Sequence, residues 1–418
     1  MAEKQKTIYV YDAFGAENER LMGRLYVSVI HGSESCSFEF DEEWLKRTRL
    51  LISPDPELQP YVGRQYPNAK AIFGMFADAS PDRWGRMLMN RRERIRADKE
   101  GRKPVKLYDS DYLLGVGDST RMGGLRFKTD VNGAFLSDDT EIPVPPWTTL
   151  RTLEEASRNF EKDERGLEKW LNQLIRPGSS LGGARPKATV TDTQGQLWIA
   201  KFPSRHDEND TGAWEMVAHE LAVLCGLNVP EARLEKFSSL GSTFLVKRFD
   251  RSGDKRVHFA SAMTLLGKKD GASAADGTGY LDIAAFIKSN GAEPKKDLVE
   301  LWKRIVFNMA ISNTDDHLRN HAFILTPKGW VLSPMFDVNP VPYGDELSLN
   351  VDEWDNRIDI DLAVKTAVRF GISEKEAAMY SEEILRVVGQ SWEPIATKYG
   401  LSRPQKELMK PAFSAAGC

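Results

Sequence analysis

A polar segment, Asn313-Thr-Asp-Asp-His-Leu-Arg-Asn320, lies between the most amphipathic stretch of the chain and two short apolar segments. Residues 298–312 place apolar side chains at helical spacing, which predicts a helix with one buried face. Residues 322–325 and 330–332 are strand-like and close enough in sequence to pair as a hairpin. The pattern therefore predicts two loops joined by a hairpin, with Asp337 in the second loop.

The two loops carry the side chains that phosphoryl transfer requires. Protein kinases use a loop aspartate to accept the proton of the acceptor hydroxyl, and an asparagine and a following aspartate to hold magnesium. Asp315, Asn320 and Asp337 have that order and spacing. Magnesium prefers hard oxygen atoms and few protein ligands, so one amide and one carboxylate are sufficient. We therefore predict Asp315 as the catalytic base and Asn320 and Asp337 as the Mg²⁺ ligands.

A glycine-containing turn and a strand lysine precede these loops. Residues 179–187 read Ser-Ser-Leu-Gly-Gly-Ala-Arg-Pro-Lys, where small residues would let backbone N–H groups approach phosphate oxygens; an ordinary tight turn is the alternative. Lys201 interrupts an apolar strand, in the position from which a kinase lysine neutralises phosphates. The next helix offers Glu215, and as a second choice Glu220, as the ion-pair partner of that lysine.

The rest of the chain predicts short strands first and mostly helices later. Strands are expected within residues 7–30 and at 37–40, 188–190, 197–202 and 244–249, and helices at 80–96, 152–174 and 214–225. In the 80–96 helix we interpret the initial Ser-Pro-Asp-Arg-Trp as a capped start held by Trp84 and ion pairs, without a catalytic role. The predicted domains are an N-terminal subdomain (1–110), a connecting segment and linker (111–148), a β-rich lobe (149–250) and a helical lobe (251–418).

The charge and cysteine content limit the cellular role. A formal net charge of −4 excludes a chain that coats nucleic acid through its overall charge. Three cysteines without a pairing pattern are typical of a reducing compartment, so we expect a cytoplasmic protein. Neither a signal peptide nor a membrane-spanning segment is expected from the sequence.

Several ordered motifs resemble the HipA-like serine/threonine kinases, the toxin components of bacterial toxin–antitoxin modules. The motifs are Ser80-Pro-Asp-Arg-Trp-Gly-Arg86, Gly182-Gly-Ala-Arg-Pro-Lys187, Phe249-Asp-Arg251, the Asp315 to Asn320 loop, and Phe336-Asp337. The resemblance covers nearly the whole chain. It implies an α+β fold: a protein-kinase-like two-lobed core with an extra N-terminal α+β subdomain and a mainly helical C-terminal lobe.

The resemblance also implies an ATP site and a modification site. Its nucleotide-binding residues would be Gly182, Gly183, Ala184, Arg185, Pro186 and Lys187 over the phosphates, Lys201, the backbone of Lys247, Arg248 and Phe249 beside adenine, and His317, Asn320, Phe336 and Asp337. The cofactors would be ATP and Mg²⁺. Ser180, with Ser179 as a rival, would be autophosphorylated, and the added charge would displace the loop from ATP.

The implied partners are a protein substrate, a glutamyl-tRNA synthetase in the family, and a HipB-like helix-turn-helix antitoxin. Operator DNA would be contacted only through the complex with that antitoxin, and no membrane is implied. Growth arrest and persistence would follow from phosphorylation of the target.

Alternatives remain open at this point. Asp316 is a rival base, although it would shorten the interval to Asn320 to four residues. His317 and His321 with the neighbouring aspartates could form a transition-metal cluster. The basic run 91–96 is a solvated helix face or a nucleic-acid contact. Two other functions are a small-molecule or lipid kinase and a weakly active co-repressor that binds an antitoxin and DNA.

Overall fold

The computed structural model describes residues 5–14, 19–47, 53–68, 70–136, 144–162, 174, 183–253 and 255–417. The chain divides into two compact units. One comprises residues 1–204 and 248–260, and the other comprises residues 205–247 and 261–418. Within the described residues, every helix is too short or too polar to cross a membrane.

Strands dominate the first part of the chain and helices the last part. In chain order the strands are β1 (Lys6–Asp12), β2 (Arg20–Ile30), β3 (Ser33–Phe40), β4 (Leu125–Lys128), β5 (Lys187–Thr191), β6 (Leu197–Lys201), β7 (Ala232–Glu235), β8 (Thr243–Lys247), β9 (Arg251–Ser252), β10 (Lys255–Arg256), β11 (Phe259–Ser261), β12 (Ala322–Thr326) and β13 (Gly329–Leu332). The α-helices are α1 (Glu42–Arg47), α2 (Gly74–Asp78), α3 (Arg83–Lys99), α4 (Asp109–Leu114), α5 (Leu150–Glu161), α6 (Thr211–Leu224), α7 (Ala262–Leu265), α8 (Tyr280–Asn290), α9 (Pro294–Ala310), α10 (Ile360–Thr366), α11 (Glu374–Lys398) and α12 (Arg403–Met409). Short 3-10 helices cover Trp147–Thr149, Ala274–Asp276, Ala367–Phe370 and Lys410–Ala416.

The first unit contains an antiparallel sheet with the strand order β3-β2-β1-β4. Its alternate residues face one core, and Ile8 lies opposite Leu25 across β1 and β2, both fully buried. The alternation predicted for residues 7–30 is therefore confirmed there. Val29 is exposed instead; among the described residues β1 begins at Lys6, opposite Val27, and Val29 pairs with Glu34 of β3.

Helix α3 begins at Arg83 because the preceding Asp82 caps it. One carboxylate oxygen of Asp82 accepts a hydrogen bond of 2.9 Å from the backbone N–H of Gly85. Its other oxygen lies 2.8 Å from the Nζ atom of Lys187, and both side chains are buried. The indole of Trp84 donates to the backbone oxygen of Lys187 at 3.1 Å. The interpretation of this segment as a capped helix held by Trp84 and ion pairs is confirmed, but the helix begins at Arg83 with Asp82 as its cap and not at Ser80.

Strands β5 and β6 form the antiparallel pair that the sequence predicts. The helix predicted at 152–174 begins earlier, at Leu150, because a 3-10 turn at Trp147–Thr149 leads directly into it. Residues 163–173 of that predicted helix lie outside the described residues.

A buried carboxylate, Asp250, lies between β8 and β9. Its oxygens accept hydrogen bonds from the backbone N–H of Gly123 at 2.8 Å, from Arg248 at 2.7 and 2.9 Å, and from Arg251 at 2.6 Å. The Arg248 guanidinium, itself buried, also donates to the backbone oxygen of Thr120 at 2.6 Å. Burial alone would raise the pKa of Asp250, but the charges of Arg248 and Arg251 outweigh burial and lower that pKa to about 2.

This shift predicts a pH dependence of stability. Because the pKa of Asp250 falls from 3.8 to about 2 on folding, ionised Asp250 contributes about 2 kcal/mol above pH 4, and the contribution is lost as the pH falls through 2. Urea unfolding of the wild type and of Asp250→Asn should therefore differ most at neutral pH, with the difference shrinking between pH 4.5 and 2.5. A difference that is constant over that range would contradict the prediction.

The second unit contains the predicted amphipathic helix and hairpin. Helix α9 covers Pro294–Ala310 and buries Trp302 and Ile305 completely. Strands β12 and β13 pair in antiparallel orientation, with Phe323 opposite Leu332. These three elements determine where the two polar loops lie, because one loop follows α9 and the other follows β13.

Candidate active site

The first polar loop, residues 311–321, is fastened to the end of α9. The backbone N–H of Asn313 donates to the backbone oxygen of Asn308 at 2.8 Å, and the two side chains are joined by a hydrogen bond of 3.0 Å. Ser312, at the turn between them, has a φ of 48°, in the left-handed region. The chain therefore leaves the helix through a sharp, buried turn that determines the direction of the following aspartates.

Asp316 is a buried structural carboxylate in this loop. One of its oxygens accepts hydrogen bonds from the hydroxyl of Tyr280 at 2.6 Å, from Nδ2 of Asn308 at 2.7 Å and from Nε2 of His321 at 2.8 Å. Burial alone would raise the pKa of Asp316, but the adjacent His321 and these hydrogen bonds outweigh it and lower the pKa below its ordinary value. The carboxylate thus ties the loop to α8, α9 and the start of β12.

Asp315, the neighbouring residue, is exposed. Its backbone oxygen accepts hydrogen bonds from the backbone N–H of His317 and from Nδ2 of Asn320, both at 3.0 Å. That second bond orients the Asn320 amide and leaves its Oδ1 atom buried without a hydrogen-bond donor among the described residues. A buried amide oxygen without a protein donor is available to accept a hydrogen bond from water or to bind a cation.

The second polar loop, residues 333–339, is held at its beginning by hydrogen bonds to neighbouring elements. The guanidinium of Arg304 donates to the backbone oxygen of Ser333 at 2.8 Å, and Asp297 accepts from the backbone N–H of Leu332 at 2.9 Å. The backbone N–H of Met335 donates to the backbone oxygen of Asn228 at 2.7 Å. Helix α9 therefore positions both loops from a single rigid element.

Asp337 has a φ of 59°, in the left-handed region. Aspartate is one of the few non-glycine residues that tolerates this conformation, which costs of the order of 1 kcal/mol and is frequent at functional sites. The backbone conformation thus distinguishes Asp337 from the other acidic residues of this part of the chain.

The predicted phosphate-binding residues lie in the first unit. Gly183 has a φ of 77°, which only glycine adopts easily, and Lys201 is buried on β6. The Nζ atom of Lys187 is paired with Asp82 in the buried contact described above. Ser179, Ser180 and Gly182 lie outside the described residues. Phosphate contacts of Gly183, Ala184, Arg185, Pro186, Lys187 and Lys201 remain predictions, as does the pairing of Lys201 with Glu215, a buried residue of α6 in the other unit.

The predicted adenine edge has a defined backbone. The N–H of Lys247 donates to the backbone oxygen of Glu231 at 2.8 Å, and its Nζ atom lies 3.7 Å from the Glu231 carboxylate. The N–H of Arg248 donates to the backbone oxygen of Leu197 at 2.9 Å. Adenine contacts by Lys247, Arg248 and Phe249 remain predictions.

Tyr280 and Asn308 belong to the site but were not predicted as part of it. Asn308 lies within the predicted helix 298–312, no role was predicted for Tyr280, and only the hydrogen bonds to Asp316 reveal the contribution of both. His321, in contrast, is buried, with Nε2 donating to Asp316. For the transition-metal alternative, no group of three histidine, cysteine, aspartate or glutamate side chains suited to a metal is found among the described residues.

Comparison with known protein families gives two matches. The model of the HipA-like C-terminal domain matches residues 179–392, about half of the chain. The model of the HipA N-terminal domain matches residues 18–103. Together they cover both the polar loops and the capped helix α3.

Individual relatives are named as kinases or candidate kinases. Y4dM, a candidate kinase of Sinorhizobium fredii, is 25% identical over 375 residues, which cover 85% of this chain and 80% of that protein. Y4mE, a candidate kinase of the same organism, is 27% identical over 216 residues, 44% of this chain and 50% of that protein. The serine/threonine-protein kinase toxin HipA of Shewanella oneidensis is 25% identical over 284 residues, 58% of this chain and 63% of that protein.

A solved structure shares the fold over almost the whole length. The Shewanella oneidensis MR-1 toxin–antitoxin complex of HipA, HipB and operator DNA contains a chain that matches with a TM-score of 0.68 at 15% identity, covering 98% of this chain and 95% of that chain. The predicted fold class, α+β with a protein-kinase-like core of the HipA type, is therefore confirmed.

Proposed function

The chain belongs to the HipA-like family, and from this premise we propose that it is an ATP-dependent serine/threonine protein kinase with Asp315 as its catalytic base. The single observation that carries the proposal is the contrast within one loop. Asp316 is buried and one of its oxygens accepts three hydrogen bonds, whereas Asp315 is exposed and its backbone oxygen orients Asn320. A base must reach its substrate, so the exposed residue is the better candidate.

Two side chains suit a hard divalent cation. The buried Oδ1 of Asn320 has no donor among the described residues, and Asp337 is held in a left-handed backbone conformation. We assign Asn320 and Asp337 as the residues that would hold Mg²⁺, whose charge would offset that of the ATP phosphates when both are bound. Lys201 would add positive charge from the small lobe.

The proposed chemistry needs little from the protein besides position and one proton acceptor. Asp315 would orient the serine or threonine hydroxyl and accept its proton as the hydroxyl oxygen bonds to the γ-phosphorus and ADP leaves with the bridging oxygen. The hydrogen bonds of Asp316 would keep the loop rigid during the transfer. Asp315 would then be oriented before the reaction, and little conformational entropy would be lost in the transition state.

The finer assignments come from the family resemblance. We propose that Ser180 is autophosphorylated, that the target is a protein, and that a HipB-like antitoxin brings the kinase to operator DNA in the cytoplasm. The support is that the matching structure is described as a complex of HipA, HipB and operator DNA. A glutamyl-tRNA synthetase is the first target to test, with growth arrest as the consequence of its phosphorylation. The four-part domain division given above is part of this proposal.

The test is incubation of the purified chain with Mg²⁺ and γ-labelled ATP, followed by mass spectrometry to locate the phosphate. We expect label on Ser180 in the wild type and none in Asp315→Asn. Ser180→Ala should lose that label while still transferring phosphate to an acceptor. Failure of the wild type to bind ATP, or label that persists in Asp315→Asn, would overturn the proposal.

A further inference from the structure

Two large aromatic side chains are exposed on one segment of the second unit, residues 343–361. Tyr343 is 79% exposed and Trp354 is 87% exposed, the highest values among the large exposed hydrophobic residues of the described chain. Tyr343 also has a φ of 63°, a conformation that a bulky residue rarely adopts. Tryptophan and tyrosine are enriched among the residues that contribute most of the binding energy in protein interfaces.

The segment is ordered by its own backbone. Hydrogen bonds of 2.7 Å join the N–H of Leu347 to the oxygen of Asn356 and the N–H of Val351 to the oxygen of Asp355. The tip that carries Trp354 is a tight turn, in which the Asp352 carboxylate accepts from the N–H groups of Trp354 and Asp355, each at 2.8 Å. The aromatic side chains are therefore presented on a defined scaffold.

The same segment is attached to the loop that carries Asp315. The hydroxyl of Ser348 donates to the backbone oxygen of Thr314 at 2.6 Å. Gly344 lies so close to Thr314 that a Cβ atom placed on it would be only 2.3 Å from Cγ2 of Thr314. Tyr343 thus precedes a residue in direct contact with the neighbour of Asp315, which places the beginning of this segment near the proposed catalytic base.

The net negative charge of the segment indicates the chemistry of the partner that it would bind. Its charged residues are Asp345, Glu346, Asp352, Glu353, Asp355, Asp359 and Asp361, against Arg357. Arg357 pairs with Asp355, and Glu353 pairs with Arg369 outside the segment, so five of the carboxylates are left to set a negative potential. A surface with exposed aromatic groups and excess negative charge is complementary to a segment that combines basic and apolar side chains.

We propose that residues 343–361 dock the protein acceptor by a basic segment that flanks its serine or threonine. The proposal rests on the proposed kinase function and adds the substrate class. Lysine or arginine of the acceptor would face the carboxylates and pack on the faces of Trp354 and Tyr343, while the flanked hydroxyl is presented to Asp315.

The experiment uses the full chain, Mg²⁺-ATP and three peptides with one central serine, flanked by lysine and leucine, by alanine and leucine, or by glutamate and leucine. The variants are Trp354→Ala and the double reversal Asp345→Lys with Glu346→Lys, both at exposed positions. The matched controls are Met379→Ala and Glu382→Lys, an exposed apolar and an exposed acidic residue of α11. Hydrolysis of ATP without a peptide is measured in parallel, because it reports on the nucleotide site alone.

We expect the wild type to prefer the lysine peptide. Both variants of the segment 343–361 should raise the KM for that peptide about tenfold while ATP hydrolysis and kcat stay unchanged. The double reversal should also improve use of the glutamate peptide, and the controls should match the wild type. Two results would overturn the docking proposal alone. One is a wild-type KM in the variants, and the other is a wild type that hydrolyses ATP but shows no preference among the peptides or labels none of them. A wild type that does not bind ATP would overturn the kinase function beneath it.

Discussion

Asp315→Asn is expected to lower phosphoryl transfer to a serine acceptor by about 10³-fold, with ATP affinity and thermal stability unchanged. General-base contributions of this kind are typically about 10²–10⁴-fold. The amide keeps the size of the side chain, and the backbone oxygen that accepts from Asn320 is unaffected. We therefore expect the substitution to lower kcat, measured with a peptide at saturating Mg²⁺-ATP.

The control for this prediction is Asp98→Asn, an exposed carboxylate on α3 that should leave every parameter unchanged. If Asp315→Asn kept transfer within tenfold of the wild type, Asp315 would not be the base. A loss of activity accompanied by a lower unfolding temperature would instead indicate a structural role for this side chain.

Asp316→Ala is expected to lower the free energy of unfolding by about 3–5 kcal/mol, the cost of removing one partner from a buried, charged hydrogen-bond network. The substitution leaves the hydroxyl of Tyr280, the amide of Asn308 and the imidazole of His321 without their shared acceptor. Each of these groups is buried, so water cannot replace the carboxylate without opening the core. Urea unfolding followed by circular dichroism measures the loss.

Asp315→Ala is the matched control for stability, because it removes the adjacent carboxylate from an exposed position. It should cost less than about 0.5 kcal/mol. The two alanine variants together separate the roles of neighbouring aspartates: one should abolish transfer in a stable protein, and the other should destabilise the fold. A loss below about 1 kcal/mol for Asp316→Ala would mean that the network is dispensable.

Local patterns predicted the elements around the site well. The 3.6-residue spacing of apolar side chains fixed α9 to within a few residues, since it begins at Pro294 rather than 298 and ends at Ala310 rather than 312. Gly226, with a φ of 71°, directly follows the C-terminal cap of α6, in agreement with the predicted helix end at residue 225. In both cases the residues that determine the element lie within one or two helical turns of each other, so the element can be predicted from local sequence.

Long-range partners could not be predicted. The hydroxyl of Tyr280 reaches Asp316 across 36 residues, and nothing near Tyr280 in the sequence signals this bond. The family resemblance implies a phosphate contact for Lys187, which stays a prediction, and no local feature of the sequence indicates that its ammonium group lies beside Asp82. Spacing identifies side chains of suitable chemistry, but the tertiary fold decides which of them face each other.

The buried pair of Asp82 and Lys187 bears on how such proteins can be divided. The HipA N-terminal domain ends at residue 103 and the HipA-like C-terminal domain begins at residue 179, which suggests two modules that could be exchanged independently. Yet Asp82 and Trp84 both contact Lys187, so a chain cut in that interval would expose one half of an ion pair on each fragment. Recombination of unrelated halves would therefore destabilise the fold by leaving a buried charge unpaired, unless the cap aspartate and the strand lysine were kept together.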